Sequence, residues 1–103
     1  MGTLSGSNRK YLRGLANRLK PVVQVGKGGV TEGLIETVSR ALTAHELIKV
    51  KFVECKDQKR KLTDEIARRT KSEVPGMIGN VAMFYREQPE EEKRRVHLPG
   101  AAQ

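Results

Sequence analysis

The feature that most constrains the fold is a short β-branched run that ends in glycines and leads directly into a helical pattern. Val22-Val23-Gln24-Val25 has the composition of a strand, and it is bounded by Pro21 and by the turn Gly26-Lys27-Gly28-Gly29. Thr31 then serves as a typical N-cap for a helix. The apolar face of that helix recurs at helical spacing: Leu34, Ile35, Val38, Ala41 and Leu42. A strand, a tight turn and a helix in this order predict an α/β domain.

The flanking residues extend this pattern in both directions. Before it, we expect a helix that begins at Ser7 as N-cap and ends at Pro21, because the residue before a proline is pushed out of the helical region. Its apolar stripe consists of Leu12, Leu15, Ala16 and Leu19. After it, residues 48–52 alternate apolar and cationic side chains. This alternation predicts a strand with one buried face and with Lys49 and Lys51 on the other.

The C-terminal half predicts a third helix and two further strands. The third helix lies within the charged stretch from Lys56 to Lys71. Strands at residues 74–78 and 81–85 are joined by Gly79-Asn80, and Pro75 favours an edge position for the first of them, since proline cannot donate to a ladder. The order α-β-α-β-α-β-β predicts one compact two-layer domain, residues 7–86, with a mixed sheet of about four strands covered by helices. We expect residues 1–6 to be a flexible N-terminus and residues 87–103 a charged, disordered tail.

The charge balance points to a polyanionic partner. The chain has 20 Lys and Arg against 12 Asp and Glu, a net charge of +8, and no acidic residue precedes Glu32. Such a surface attracts nucleic acid by counterion release, although a cationic but merely soluble surface is the alternative. No apolar run could span a bilayer, and the N-terminus does not resemble a signal peptide. With one cysteine, Cys55, no internal disulfide can form, so we expect a cytoplasmic protein.

The turn Gly26-Lys27-Gly28-Gly29, the glycine loop, carries the functional prediction. Glycines let a phosphate approach the backbone, the first amides of the following helix face that phosphate, and Lys27 adds an ammonium. The loop fits neither a P-loop nor a dinucleotide fingerprint, because Val30 and Thr31 stand where those motifs need lysine and glycine. A plain turn is the alternative. Further cations are expected nearby, beside the stripe of the first helix or on the exposed strand face: Arg9, Lys10, Arg13, Lys20, Lys49 and Lys51.

Three segments in this order resemble the CRM domain in its stand-alone, YhbY-like bacterial form. They are Leu-Lys-Pro-Val-Val-Gln-Val-Gly-Lys-Gly-Gly-Val-Thr-Glu (19–32), His-Glu-Leu-Ile-Lys-Val-Lys (45–51) and Ile-Gly-Asn-Val-Ala-Met-Phe-Tyr-Arg (78–86). The resemblance implies a fold similar to the C-terminal domain of bacterial translation initiation factor 3. It also implies RNA binding through the glycine loop and adjacent basic surface, and association with ribosomal RNA in precursors of the large subunit. By position, it adds Arg86 to the RNA-binding residues.

No catalytic or metal-binding constellation is visible. His45 has no nearby Ser, Cys or Asp constellation, and Cys55 with two distant histidines cannot complete a zinc site. We therefore expect a non-enzyme and a monomer, without cofactor, metal, small-molecule substrate or membrane. The basic residues between Lys56 and Lys71 are either a second RNA-binding face or a solvated helix surface. An adaptor that docks an acidic protein through the basic face is the alternative function.

Overall fold

The computed structural model describes residues 4–98, so residues 1–3 and 99–103 lie outside the described part. The helices and strands are α1 (Gly6–Ala16), β1 (Val23–Val25), α2 (Glu32–His45), β2 (Leu47–Phe52), α3 (Lys59–Thr70), β3 (Met77–Ile78) and β4 (Val81–Tyr85). Short 3₁₀ turns occupy Lys56–Gln58 and Glu91–Lys93. The predicted order of elements is confirmed. Within residues 4–98, no helix is both long and apolar enough to cross a membrane.

The four strands form one mixed sheet in the order β1-β2-β4-β3. β1 runs parallel to β2, with Val25 opposite Phe52, whereas β4 runs antiparallel to β2, with Leu47 opposite Tyr85. The predicted mixed four-stranded sheet is therefore confirmed. β1 and β2 both finish at one end of this sheet, which we call the loop end because the glycine loop follows Val25 there. The opposite end, where β2 begins at Leu47, is called the base end.

Helices lie on both faces of the sheet. The larger core cluster joins α2 and α3 to one face through buried residues such as Leu42, Ile66 and Phe84. On the other face, Leu12 and Ala16 of α1 pack against a second buried cluster: Leu47, Met83 and Tyr85. The sequence predicted the two-layer arrangement, and α1 adds partial cover to its second face. Strand alternation therefore places Lys49 and Lys51 on the face that α1 partly covers.

The bounds of α1 differ from the prediction at both ends. Ser5, not Ser7, is the N-cap, and its hydroxyl accepts a hydrogen bond from the Asn8 amide at 3.1 Å. The helix ends at Ala16, ahead of Pro21. The chain after Ala16 forms a tighter turn than an α-helix, because the amide of Leu19 donates to the carbonyl of Ala16, three residues earlier, at 2.9 Å.

β3 is shorter than the predicted strand at residues 74–78. It keeps only Met77–Ile78 on β4, after an isolated bridge between Glu73 and Tyr85. The buried Pro75 lies between these two pairings and has no N–H to donate, so the ladder is interrupted at this point. β3 is the edge strand of the sheet, as the proline predicts.

The segment of residues 87–98, the C-terminal segment, packs against the domain, which differs from the disorder expected from its composition. The cause is Glu46, whose side chain is 1% exposed. Its carboxylate accepts hydrogen bonds from the amides of Gln88 at 2.7 Å, Arg95 at 2.6 Å and Val96 at 2.7 Å. Val96 and Leu98 also pack against the α1-side cluster. A buried carboxylate with three amide donors compensates for the small apolar content of this segment.

Candidate nucleic-acid interface

The glycine loop is an exposed tight turn at the loop end of the sheet. The amide of Gly29 donates to the Gly26 carbonyl at 3.1 Å, and Gly29 takes a φ of +69°, which favours glycine. The side chain of Lys27 is exposed at the centre of the turn. Within residues 4–98, the amides of Lys27 and Gly28 have no hydrogen-bond partner, so both are open to a ligand.

Gly26 and Gly28 are not required by the protein's own packing. Neither has a positive φ. A Cβ added at Gly26 would meet no described atom within 4 Å, and one at Gly28 would only reach ordinary contact with Thr31 Cγ2 at 3.6 Å. Alanine would therefore fit both positions in the free protein. One physical reason for glycine at these two positions remains: it lets another molecule approach the backbone closely.

The start of α2 adds a further favourable site for an anion beside the loop. Thr31 is the N-cap, as predicted, and its hydroxyl accepts from the Leu34 amide at 3.1 Å. The first-turn carboxylate of Glu32 binds the guanidinium of Arg69 on α3, and Arg69 Nη1 is also 3.5 Å from Glu65 Oε2. The charge of Glu32 is thus partly balanced by Arg69, and the positive end of the helix dipole remains beside the glycine loop.

The loop end also carries cations from β2 and from the turn after it. Lys51 is exposed near the end of β2. The thiol of Cys55 lies 3.8 Å from the Gly26 carbonyl oxygen, which brings the exposed Lys56 to the glycine loop. Glu54 is also exposed here, and its amide donates to the Val25 carbonyl at 3.1 Å. Sequence reasoning left Lys56 open, because its position depends on the parallel pairing of β1 with β2.

The ammonium group of Lys59 is engaged within the protein and has a structural role. Its ammonium donates to the Gly79 carbonyl at 2.8 Å and to Asn80 Oδ1 at 3.1 Å. This contact ties the start of α3 to the turn between β3 and β4. The run from Lys56 to Lys71 is therefore divided: Lys56 lies at the loop end, Lys59 and Arg69 are engaged within the protein, and Arg68 and Lys71 lie exposed at the C-terminal end of α3.

The predicted cations of α1 do not gather at the glycine loop. Arg13 Nη1 donates to the Pro75 carbonyl at 3.1 Å, and Arg9 is half-buried with Nη2 3.5 Å from the Leu4 carbonyl. Lys10 and Lys20 are exposed, but Lys20 precedes β1 and so lies at the base end. Lys49 is half-buried in the middle of β2, between the two ends. Lys27, Lys51 and Lys56 thus all lie at the loop end, whereas the α1 cations do not.

Arg86, which the resemblance adds to the RNA-binding residues, has a structural role in this fold. Its guanidinium donates to Ser39 Oγ at 3.0 Å, the Thr70 carbonyl at 2.8 Å, the Ser39 carbonyl at 2.7 Å and Thr43 Oγ1 at 2.9 Å. Burial lowers the pKa of Arg86 from its usual value. Because Arg86 follows β4 at the base end, it lies a whole strand length from the glycine loop.

Tyr85 precedes Arg86 and is 3% exposed. Burial raises the pKa of its hydroxyl to about 12, and the carboxylates of Glu87 and Glu46 add to the increase. This side chain therefore stays neutral over the physiological range. No group of three or more His, Cys, Asp or Glu side chains suited to a metal ion occurs among residues 4–98.

The fold is thus a small α/β domain with a mixed sheet, in which an exposed glycine turn leads into a helix. The chain belongs to the CRS1/YhbY (CRM) domain family, whose model matches residues 4–86. This confirms the family indicated by the three sequence segments.

Relatives and a solved structure agree with this assignment. A Haemophilus influenzae protein named "RNA-binding protein" is 40% identical over 100 residues, covering 96% of this chain and 98% of its own. The Bacillus subtilis protein named "Probable RNA-binding protein YqeI" is 35% identical over 97 residues, covering 93% and 99%. A solution structure of a Staphylococcus aureus protein is similar, with a TM-score of 0.79 and 36% identity over 94% of this chain and 100% of that one.

Proposed function

We propose that this protein binds RNA at the loop end of its sheet, without catalysis, and that its target is ribosomal RNA in cytoplasmic precursors of the large subunit. One observation carries the proposal. Gly26 and Gly28 expose bare backbone that neither their φ angles nor internal packing requires. The names of the relatives support RNA as the ligand. The choice of ribosomal RNA rests on the family resemblance.

In this proposal the contacts are made to the RNA backbone. The open amides of Lys27 and Gly28 and those of the first turn of α2 donate hydrogen bonds to a phosphate. The ammonium groups of Lys27, Lys51 and Lys56 neutralise the neighbouring phosphates. Phe52, Phe84 and Tyr85 are buried, so among the aromatic residues only Tyr11 is available for stacking on a base. Recognition of shape and backbone therefore fits this surface better than reading of base sequence.

Replacing Lys27 by Ala should weaken RNA binding and reduce its salt dependence. Because one phosphate contact is lost, the slope of log affinity against log salt should become shallower by up to about one unit. Fluorescence anisotropy with a structured ribosomal RNA fragment at several salt concentrations measures both quantities. Lys93→Ala is the matched control, because Lys93 is exposed on the C-terminal segment and makes an ion pair with Glu90. Equal effects of the two substitutions would count against the glycine loop.

Substitution of Gly28 should separate RNA binding from stability. Gly28→Ala should keep the free energy of unfolding within about 0.5 kcal/mol of the wild-type value, since among the described residues the new methyl group meets only Thr31, at ordinary contact distance. RNA affinity should nevertheless fall, and Gly28→Asp should lower it further because it places a carboxylate beside the phosphate. Urea denaturation and the same anisotropy assay test this. Full RNA affinity of Gly28→Asp would remove the glycine loop from the interface.

The competing function is docking of an acidic protein through the basic face. Sedimentation of tagged protein with ribosomal particles, before and after nuclease treatment, distinguishes the two. Release of the protein by nuclease supports RNA binding, and retention supports a protein partner. Crosslinking in cells followed by sequencing of the attached RNA then identifies the RNA segment.

A further inference from the structure

A second concave surface lies at the base end, away from the glycine loop. It is a groove of about 520 Å³ whose walls come from the end of α1, the connection from α1 to β1, the end of α2, the start of β2 and the C-terminal segment. Its apolar lining includes Leu15, Leu19, Val22, Leu47 and Val96. Its volume lies in the range of specific ligand sites, roughly 300–1,000 Å³.

The wall formed by the C-terminal segment is held in place. Glu46 Oε1 accepts the amides of Arg95 and Val96, the two residues of this segment that line the groove. The carboxylate is buried, so this anchor is protected from water. One wall of the groove is thus a segment held by hydrogen bonds to Glu46, which lies 49 and 50 residues earlier in the sequence.

Two of the exposed large apolar residues of the described chain meet in this groove. Val22 is 53% exposed and Leu19 is 38% exposed. They lie on either side of Lys20 and Pro21, where the chain passes from α1 to β1, and both line the groove. Apolar side chains that are exposed together in a concave site commonly mark a place where another molecule binds.

The polar side chains of the lining all carry or can carry positive charge. They are Arg18, Lys20, Arg95 and His45, and the lining contains no acidic residue. The lining contains no Phe, Tyr or Trp side chain. Aliphatic walls with cations around them complement leucine-like side chains flanked by carboxylates. The cations would attract either polyanion, but the aliphatic walls have a counterpart only in apolar side chains, and this favours a polypeptide over a nucleic acid.

We propose that this groove binds an acidic, amphipathic segment of a partner protein. The site is separate from the proposed RNA interface, because Val22 precedes β1 and the glycine loop follows it at the opposite end of the sheet. One molecule can therefore hold RNA at the loop end and a protein at the base end. The proposal does not depend on the RNA function, since its residues and its ligand are different.

The test uses the full-length, ¹⁵N-labelled protein and synthetic helical peptides. One peptide carries Leu along one face with Glu at the flanking positions, and a second has Lys in place of every Glu. The Leu/Glu peptide should shift the amide resonances of Leu19, Val22 and Val96, and the Leu/Lys peptide should bind at least 10-fold more weakly. Equal binding of the two peptides, or shifts confined to the glycine loop, would overturn the proposal.

Val22→Asp is the diagnostic variant, because its side chain is exposed and its replacement should leave the fold intact. It should weaken binding of the Leu/Glu peptide at least 10-fold. Ile78→Asp is the control, since Ile78 is 61% exposed on the edge strand at the loop end and the change in charge is the same. Equal peptide affinities for the two variants would refute the site.

Two further outcomes would assign the groove to another occupant. If a ribosomal RNA fragment shifts the groove resonances and loses affinity on Val22→Asp, the groove binds RNA and the peptide proposal fails. If sedimentation shows a dimer of the wild type that Val22→Asp dissociates, the groove binds a second copy, and the proposal fails again. A monomer that binds the Leu/Glu peptide through Val22 supports it.

Discussion

Replacing Glu46 by Gln should release the C-terminal segment from the domain. The carboxylate accepts three backbone amides, and the Gln side chain would turn an N–H₂ donor toward at least one of them. Hydrogen bonds to a charged group contribute roughly 1.5–3 kcal/mol each, so losing part of this set should open the segment by about 2.7 kcal/mol, or 100-fold. Amide hydrogen exchange at Gln88, Arg95 and Val96 measures this directly.

Glu92→Gln is the matched control, because it removes the same charge from an exposed position of the same segment. Its exchange rates should stay close to those of the wild type. If Glu46→Gln left the three amides as protected as before, the carboxylate would not be the anchor of the segment. Release of the C-terminal segment in Glu46→Gln would also remove one wall of the base-end groove. The affinity of this variant for the Leu/Glu peptide should therefore fall.

Replacing Arg86 by Ala should destabilise the whole domain by roughly 3 kcal/mol, because four hydrogen bonds of a charged group are lost and carbonyl acceptors lose their donor. Two of these acceptors are the carbonyls of Ser39 on α2 and Thr70 on α3, so the substitution separates both helices from the end of β4. Arg86→Lys should recover less than half of the loss, since an ammonium cannot reproduce the planar fork. Urea denaturation measures the free energy of unfolding.

The RNA affinity of Arg86→Ala distinguishes its structural role from a role in binding. Measured under conditions where the variant is folded, its affinity should equal that of Arg40→Ala within about twofold. Arg40 lies exposed on α2, and its replacement gives the same change in charge. A stable Arg86→Ala variant with strongly reduced RNA affinity would instead place Arg86 in the RNA interface.

The two ends of the sheet therefore differ in chemistry. The loop end presents bare amides, a helix start and three lysine side chains, which suit a phosphate backbone. The base end presents an aliphatic groove bordered by cations, which suits an acidic polypeptide. Arg86, which follows β4, and Glu46, which precedes β2, both stabilise the base end. Substitutions of these two residues are therefore expected to affect folding and partner binding more than RNA binding.

The element order and the position of the glycine loop followed from the sequence alone, because both depend on neighbours along the chain. Helical spacing at Leu34 to Leu42, alternation at Ile48 to Phe52 and the cap at Thr31 are local patterns. The turn at Gly26–Gly29 was equally visible. Local propensity and periodicity are sufficient for such features when they agree with the tertiary fold.

The roles of the long polar side chains were decided by the tertiary structure. In the sequence, Arg86 is indistinguishable from a surface arginine. Its role arises because β4 places it between α2 and α3, where it binds Ser39, 47 residues away in sequence. Glu46 resembles a surface carboxylate until three amides more than 40 residues away converge on it, and so a tail with the composition of a disordered segment becomes ordered. Lys56 lies near the glycine loop because the pairing of β1 with β2 brings the neighbouring Cys55 beside Gly26. Charged side chains are long and their partners lie far along the chain, so their roles depend on contacts that no local pattern encodes.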